Sequence, residues 1–197
     1  MPMHSFISAS QTKSLMVDGK LRPPFGRGAI TYSRWLARDI VGIQNDEIES
    51  PDIDRGNELE DEAVSFFEAT FFVEGQRPEF IIHPDIEFFG GTPDWMNDDF
   101  GIDIKCPNQK NHHDNIIEGI QLADYKHQFQ SYMAITGFKK WGLVSYNPTF
   151  TDNAKLAVSW MVRDEEYIKK LLQRVKLFYP IVMEEVEKLQ KYKPQIK

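Results

Sequence analysis

The spacing of apolar residues along the chain predicts five helices. In these segments apolar residues recur every three or four positions and therefore share one side of a helix with about 3.6 residues per turn. The pattern is clearest in the third segment, where Leu59, Val64 and Phe67 lie opposite Asp61 and Glu68. The predicted helices cover residues 8–16, 31–41, 54–72, 122–136 and 164 to about 192.

Shorter apolar stretches predict strands at 79–83, 85–89, 101–106, 141–146 and 155–162. Polar segments, most of them containing Gly or Pro, predict connections at 18–28, 44–51, 97–101 and 107–115. This order of elements predicts an α/β fold with a mixed central β-sheet flanked by helices. No repeat, low-complexity tract or long Gly/Ser linker interrupts it, so we expect residues 1–197 to form a single domain.

Glu60 breaks the pattern of the third helix, because it falls inside the apolar stripe. Carboxylates are rarely buried without a partner. One interpretation is a slightly rotated helix, in which Glu60 reaches solvent or a salt bridge. The other is a carboxylate that belongs to a site.

The segment from Gly90 to Pro107 contains the residues that suggest chemistry. Strand alternation puts Asp103 and Lys105 on one face of a strand, with Ile104 on the opposite face. A hairpin-like turn at 97–101 would bring Asp94 beside Asp103. Two carboxylates and the backbone carbonyl of Ile104 make an oxygen site suited to Mg²⁺ or Mn²⁺. A neighbouring ammonium, that of Lys105, can stabilise the negative charge that develops on a phosphate.

These parts are the ones that phosphodiester hydrolysis needs, although the pattern is short. Pro-Asp also occurs at Asp52 and Asp85, but only Asp94 has strands and a turn around it. The alternative is a surface ladder of Asp and Lys with no catalytic role. Glu60 favours the nuclease, because a third acid near a metal site explains its position in the apolar stripe.

Composition adds a charge pattern to this picture. The formal net charge of −7 is unevenly distributed, with −17 in residues 39–103, +5 before this block and +5 after it. The acidic block contains Glu60, Asp94 and Asp103, and the basic ends are where phosphate contacts are expected. The single Cys106 excludes a disulfide framework and favours a reducing compartment. No apolar run is long enough to span a bilayer and no signal peptide is expected, so a cytoplasmic protein is predicted.

Several motifs follow one another in an order that resembles the bacteriophage lambda exonuclease family, within the PD-(D/E)xK nuclease superfamily. They are Phe6-Ile-Ser-Ala-Ser10, Gly56-Asn-Glu-Leu-Glu60-Asp-Glu-Ala63, Thr92-Pro-Asp94, Asp103-Ile-Lys105-Cys-Pro107, Tyr125-x-x-Gln128-x-Gln130, Tyr146-Asn-Pro148 and Arg163-Asp-Glu165. Because these motifs span residues 6–165, the match is more specific than a match to the catalytic core alone would be.

The resemblance implies a restriction-endonuclease-like core and a 5′-to-3′ exonuclease that degrades linear double-stranded DNA to mononucleotides. It also implies that the enzyme leaves a 3′ single strand for recombination and works with a single-strand annealing protein. The expected assembly is a homotrimeric ring around DNA. Two Mg²⁺ or Mn²⁺ ions are expected. The resemblance assigns metal binding to Asp94 and Asp103, support of a metal or of its bound water to Glu60, and action at the nucleophile to Lys105.

The resemblance also implies that Gln128 lies near the site and that Ser10 helps to hold a terminal 5′-phosphate. Asp103 is a departure, since the nearest members of the family carry Glu there; one methylene fewer should be tolerable. The family's Arg before the first motif has no counterpart here. Lys20, Arg22 and Arg27 are candidate replacements as phosphate contacts, unless they form a solvated basic loop.

Other residues receive plainer interpretations. His112-His113-Asp114 is not expected to bind a transition metal, because adjacent histidines point apart and a full set of ligands is not near in sequence. His112 and His113 are expected instead to be solvated or to contact the DNA backbone. Trp95 and Tyr125 are expected to pack in the core. Two competing functions remain open: an endonuclease on the same core, and a non-catalytic protein that binds DNA ends or scaffolds an annealing protein.

Overall fold

The computed structural model describes residues 6–43 and 51–193, without the side chains of 21–22 and 51–58. Helices are α1 Thr12–Leu15, α2 Arg27–Ile40, α3 Pro51–Phe71, α4 Gln109–Ile117, α5 Lys126–Thr136 and α6 Glu165–Lys191. Strands are β1 Ile7–Ser8, β2 Asp18–Arg22, β3 Ile81–His83, β4 Ile86–Gly91, β5 Trp95–Met96, β6 Gly101–Lys105, β7 Lys140–Tyr146 and β8 Leu156–Val162. None of the helices in these ranges has the length and apolar character that a membrane span requires.

The α/β architecture is confirmed, but the described strands form two mixed sheets where a single central sheet was expected. One sheet has the order β1-β4-β3, and the other has the order β5-β6-β7-β8. Each contains one parallel pair, β1 with β4 and β6 with β7. The chain passes from the first sheet to the second between Gly91 and Trp95. Asp94 therefore lies at the junction of the two sheets.

Two apolar clusters lie on the two sides of β6. Ile102 and Ile104 pack with Phe67 of α3 and with Trp95, as strand alternation predicts. On the other side, Trp141 and other residues of the larger cluster pack with α2, α5 and α6. The alternation thus leaves Asp103 on the α5 side of the strand, away from the isoleucines.

Three local predictions are wrong. Residues 8–16 form β1, a single turn of 3-10 helix and the short α1 instead of one helix. The 18–28 segment contains β2 and the start of α2. Residues 107–115 contain most of α4, which begins after Asn108, whose Oδ1 accepts a hydrogen bond from Asn111 N at 2.9 Å. Most of the predicted connection at 44–51 lies outside the described residues.

Helix α4 was not predicted from the sequence because it lacks an apolar stripe. Its buried position is taken by His112, whose Nδ1 lies 2.8 Å from Ser145 Oγ and whose Nε2 lies 2.9 Å from Ala154 O. Both ring nitrogens are therefore satisfied inside the protein. The expectation that His112 is solvated or contacts DNA is wrong; His113 is exposed.

The basic segment after α1 is fixed to α6 by Arg174. The buried guanidinium donates to Asp18 Oδ1 at 2.6 Å and to the carbonyl oxygens of Val17 at 3.2 Å and Pro24 at 3.0 Å, and it also contacts Leu15 O. Gly19 N donates to Pro24 O at 3.1 Å, which closes the segment on itself. An arginine fork that meets several acceptors at once holds this part of the chain in one position.

Candidate active site

A short hairpin positions Asp94. Strands β5 and β6 pair antiparallel, with Trp95 opposite Ile102, and Asn97 Oδ1 accepts hydrogen bonds in the turn between them. This geometry brings Asp94 against β6, where its Oδ2 accepts a hydrogen bond from Ile104 N at 2.6 Å. The hairpin-like turn predicted from sequence is confirmed. Trp95 itself is fully buried, as expected for core packing.

Asp103 lies on the next strand and is only 1% exposed. Gln128 Nε2 donates to its Oδ2 at 2.6 Å, and Trp141 Nε1 donates to its Oδ1 at 3.1 Å. Burial, followed by the negative charge of Asp94, raises the pKa of Asp103 to about 7. The two donors fix the plane of the carboxyl group and leave each oxygen with a second lone pair for another ligand.

Lys105 ends the same strand, with its side chain 47% exposed. Its Nζ lies 3.9 Å from Asp94 Oδ2 and donates to Ile104 O at 3.0 Å. Burial acts to lower the pKa of Lys105, but the surrounding groups, first among them the carboxylates of Asp94 and Asp103, outweigh it and the pKa is raised. Lys105 is therefore a positively charged ammonium at neutral pH.

Glu60 approaches this group from α3. Its side chain is 20% exposed and forms an ion pair with Arg77, which also pairs with Asp61. Burial and the nearby Asp94 raise the pKa of Glu60 in spite of Arg77. Both sequence interpretations thus describe part of the arrangement: Glu60 has a salt-bridge partner, and it faces the same cleft as Asp94 and Lys105.

Gln128 connects α5 to the acids. Besides its bond to Asp103, its Nε2 lies 3.5 Å from the hydroxyl of Tyr132, and that hydroxyl donates to Thr92 O at 2.9 Å. Tyr132 thereby connects α5 to the backbone just before Asp94, and Gln128 connects it to Asp103 on β6. Gln128 therefore holds the carboxylate of Asp103 in one orientation.

The donor set at this site fits a hard divalent cation. In the described part of the chain, no three His, Cys, Asp or Glu side chains converge as a metal cluster. The available ligands are two carboxylates, Asp94 and Asp103, and the carbonyl of Ile104, all oxygen donors of the kind that Mg²⁺ and Mn²⁺ take. Burial, and after it the negative charge of Asp94, raises the pKa of Asp103 and of Glu60, so ionisation of these carboxyl groups costs free energy that a bound cation would offset.

The predicted phosphate contacts lie outside this group. Ser10 is exposed and shares a hydrogen bond of 3.0 Å with Ser8 Oγ; Ser8 in turn pairs with Gly90, four residues before Asp94. Lys20 and Arg27 are exposed on the segment that is fixed to α6, and neither lines the cleft. The side chain of Arg22 lies outside the described residues.

An open cleft of about 730 Å³ gives access to the site. Glu60, Asp94 and Lys105 line this cleft, whereas the buried Asp103 does not. The remaining polar lining residues were missed by sequence reasoning: Asn108, Asn111, Asn115, Gln121 and Tyr125. A helix-capping Asn at 108 followed by ten residues without Gly or Pro was the available signal for α4. Tyr125, expected in the core, is half-buried at the cleft wall.

Comparison with known proteins gives one family and a group of related structures. Residues 7–139 match the model of the YqaJ-like viral recombinase domain. None of the curated proteins matches the chain.

The alkaline exonuclease LHK-Exo from Laribacter hongkongensis is similar with a TM-score of 0.81 and 26% identity, covering 95% of this chain and 92% of that chain. Its complex with dAMP gives a TM-score of 0.80 and 28% identity over the same shares. A phage-related exonuclease from Haemophilus somnus 129PT has a TM-score of 0.78 and 18% identity, covering 93% of this chain and 96% of that chain, a likeness of fold alone.

Proposed function

Because the chain belongs to the YqaJ-like viral recombinase family, the lambda exonuclease-like group that its motifs resemble, we propose that it is a metal-dependent 5′-to-3′ exonuclease. Its substrate is linear double-stranded DNA, which it degrades to mononucleotides, leaving a 3′ single strand for recombination. The observation that carries this proposal is the hairpin that sets Asp94 3.9 Å from Lys105 at an open cleft, with Asp103 two residues before Lys105 on β6. The similarity to LHK-Exo, an alkaline exonuclease, supports the same activity.

Asp94, Asp103 and the Ile104 carbonyl are the groups that would hold Mg²⁺ or Mn²⁺, with Glu60 as a further acid for a second ion. When bound, the metal supplies Lewis-acid stabilisation of negative charge on the phosphate. Water attacks phosphorus and the bond from phosphorus to the 3′-oxygen breaks, which leaves a 5′-phosphate on the shortened strand. The Lys105 ammonium stabilises the charge on the phosphoryl oxygens during this step. Gln128 holds the carboxylate of Asp103 in position.

The remaining parts of the proposal rest on the resemblance. We propose that residues 1–197 form a single nuclease domain, that three copies form a ring around DNA and that a single-strand annealing protein takes up the product strand. A cytoplasmic location agrees with the single Cys106 and the reducing environment that it favours.

Digestion of matched linear and closed circular duplexes tests the activity. With Mg²⁺, the linear form labelled at its 5′ end should release labelled mononucleotide at once, while a 3′ label should stay on long strands. The circular form should remain intact, and EDTA should stop the digestion. Nicking or linearisation of the circle would identify an endonuclease instead, and binding without cleavage in Mg²⁺ or Mn²⁺ would identify a non-catalytic DNA-binding protein.

Ser10 provides a test of how DNA ends are held. If its hydroxyl contacts a terminal 5′-phosphate, the wild type should degrade 5′-phosphorylated ends about tenfold faster than 5′-hydroxyl ends, the size of one hydrogen bond to a charged group. Ser10→Ala should remove most of this preference and leave the rate on hydroxyl ends unchanged. Ser65→Ala, an exposed serine on α3, is the control. Equal rates on both ends in the wild type would exclude a phosphate contact by Ser10.

A further inference from the structure

One of the acids that line the cleft is bound by an arginine that does not line it. The Arg77 guanidinium bridges two neighbouring carboxylates of α3, because its Nη2 donates to Glu60 Oε1 and its Nη1 donates to Asp61 Oδ1. Glu60 lines the cleft, whereas Arg77 is absent from the described residues that do so. The contact that connects Arg77 to the cleft is therefore its bond to Glu60.

The backbone that carries Arg77 is fixed to β5, the first strand of the catalytic hairpin. The preceding residue pairs with that strand: Gln76 N donates to Met96 O at 2.8 Å, and Met96 N donates to Gln76 O at 2.9 Å. Gly75 packs so closely on the ring of Trp95 that the Cβ of any other residue would clash with it. The Arg77 side chain thus starts from a backbone segment that the hairpin holds in place.

Arg77 consequently links the two segments that bring acids to the cleft. Its backbone is held by β5, directly after Asp94, and its guanidinium holds Glu60 of α3. A guanidinium donates from several nitrogens in one rigid plane, so it fixes the orientation of the carboxylate that it binds. The contact uses Oε1 of Glu60, and Oε2 keeps its lone pairs for a second ligand.

Two effects of Arg77 on a cation at Glu60 have opposite signs. Its positive charge repels the cation, whereas its hydrogen bond orients the carboxylate before the cation binds. Groups that orient a metal-binding side chain in this way usually contribute tenfold to a hundredfold in affinity. The carboxylate of Asp61 pairs with the same guanidinium and offsets its charge. The orienting effect should therefore be the larger of the two.

We propose that Arg77 is a positioning residue that holds the carboxylate of Glu60 toward a divalent cation in the cleft, while Asp61 balances the charge of the arginine. This inference rests on the proposed nuclease function, in which Glu60 serves a second ion. It gives a role to a residue that lies 17 positions from Glu60 and outside the cleft. Loss of Arg77 should therefore weaken cation binding and leave DNA binding unchanged.

Calorimetric titration with Mn²⁺ measures this role without DNA. Arg77→Ala should bind Mn²⁺ about tenfold more weakly than the wild type. The matched control is Arg34→Ala, which removes an exposed arginine of α2 whose Nε lies 3.8 Å from Glu185 Oε2, and it should bind as the wild type does. Tighter binding by Arg77→Ala would show that the arginine only repels the cation. That result, unchanged binding, or no binding of Mn²⁺ to the wild type at millimolar concentration would overturn the proposal.

A second titration shows whether Arg77 acts through Glu60. Glu60→Gln removes the charge that attracts the cation, and Glu60→Gln/Arg77→Ala should bind Mn²⁺ with the same affinity as Glu60→Gln alone. A further tenfold loss in the double variant would overturn the proposal, because Arg77 would then act independently of Glu60. Circular dichroism and thermal unfolding check the fold of each variant. Since ion pairs of exposed side chains contribute little to stability, all variants should remain folded.

Kinetics separate the positioning of Glu60 from a contact with DNA. At limiting Mn²⁺, Arg77→Ala should digest linear duplex about tenfold more slowly than the wild type, and saturating Mn²⁺ should restore the rate to within about twofold. KM for DNA at saturating Mn²⁺ should also stay within about twofold. A tenfold higher KM with an unchanged dependence on Mn²⁺ would identify a phosphate contact and overturn the proposal. If the wild type binds Mn²⁺ but leaves linear DNA intact, the nuclease proposal fails, while the titrations still decide the role of Arg77.

Discussion

Lys105→Ala should lower the rate of DNA digestion in Mg²⁺ by about a thousandfold or more and leave the fold intact. Among the described residues that line the cleft, Lys105 carries the only ammonium. Its Nζ lies 3.9 Å from Asp94 Oδ2, and the negative charge of Asp103 also attracts it. Removal of one donor that stabilises transition-state charge usually costs a hundredfold to a thousandfold in kcat. Loss of the positive charge also leaves the two carboxylates with less compensation.

The measurement is the initial rate of nucleotide release from linear duplex, together with circular dichroism and thermal unfolding. Because the Lys105 side chain is 47% exposed, its removal creates no cavity and the protein should remain folded. Lys110→Ala, an exposed lysine on α4, is the matched control and should keep nearly full activity. Digestion by Lys105→Ala at the wild-type rate would exclude Lys105 from the chemistry.

The hairpin that holds the acids could be predicted from the sequence because its determinants are local. Strand alternation separates Asp103 from Ile102 and Ile104, and the turn at Asn97 lies only a few residues from both strands. Glu60 was detectable for a similar reason, since a carboxylate in an apolar stripe is visible within one helix. In each case the residues that carry the information lie in one secondary-structure element or in two consecutive ones.

The partners of these residues could not be predicted in the same way. Trp141 and Gln128 meet Asp103 from positions 38 and 25 residues away, and Arg174 meets Asp18 from 156 residues away. Such contacts depend on how α5, α6 and β7 pack, which periodicity does not determine. Helix α4 was missed because a hydrogen-bonded histidine takes the place of its apolar face.

Asp103→Asn should abolish digestion and at the same time stabilise the protein in EDTA at pH 8. Asparagine keeps the shape of the side chain but provides a much poorer ligand for Mg²⁺ than a carboxylate. Its oxygen can accept from Trp141, and its amide can donate to Gln128 once the Gln128 amide rotates by about 180°. The hydrogen bonds of Asp103 are thus kept while its buried charge is removed.

The stability effect has a defined dependence on pH. The pKa of Asp103 rises from 3.8 to about 7 on folding, so between these values the folded state binds more protons than the unfolded state. Stability of the metal-free wild type therefore falls as pH rises from about 4 to about 7 and stays low above that. The penalty at pH 8 is on the order of 4 kcal/mol, at about 1.4 kcal/mol for each unit of pKa difference, and Asp103→Asn should not experience it.

Thermal unfolding at pH 5 and pH 8 measures this difference. In EDTA, Asp103→Asn should unfold several degrees above the wild type at pH 8 and close to it at pH 5. Excess Mg²⁺ should raise the wild-type midpoint at pH 8, because a ligand that binds only the folded state stabilises it, and should raise that of the variant much less. Asp98→Asn, on the exposed turn after β5, should behave as the wild type does. If Mg²⁺ raised both midpoints equally, Asp103 would not be a metal ligand, since the carboxylate would then contribute nothing to cation binding.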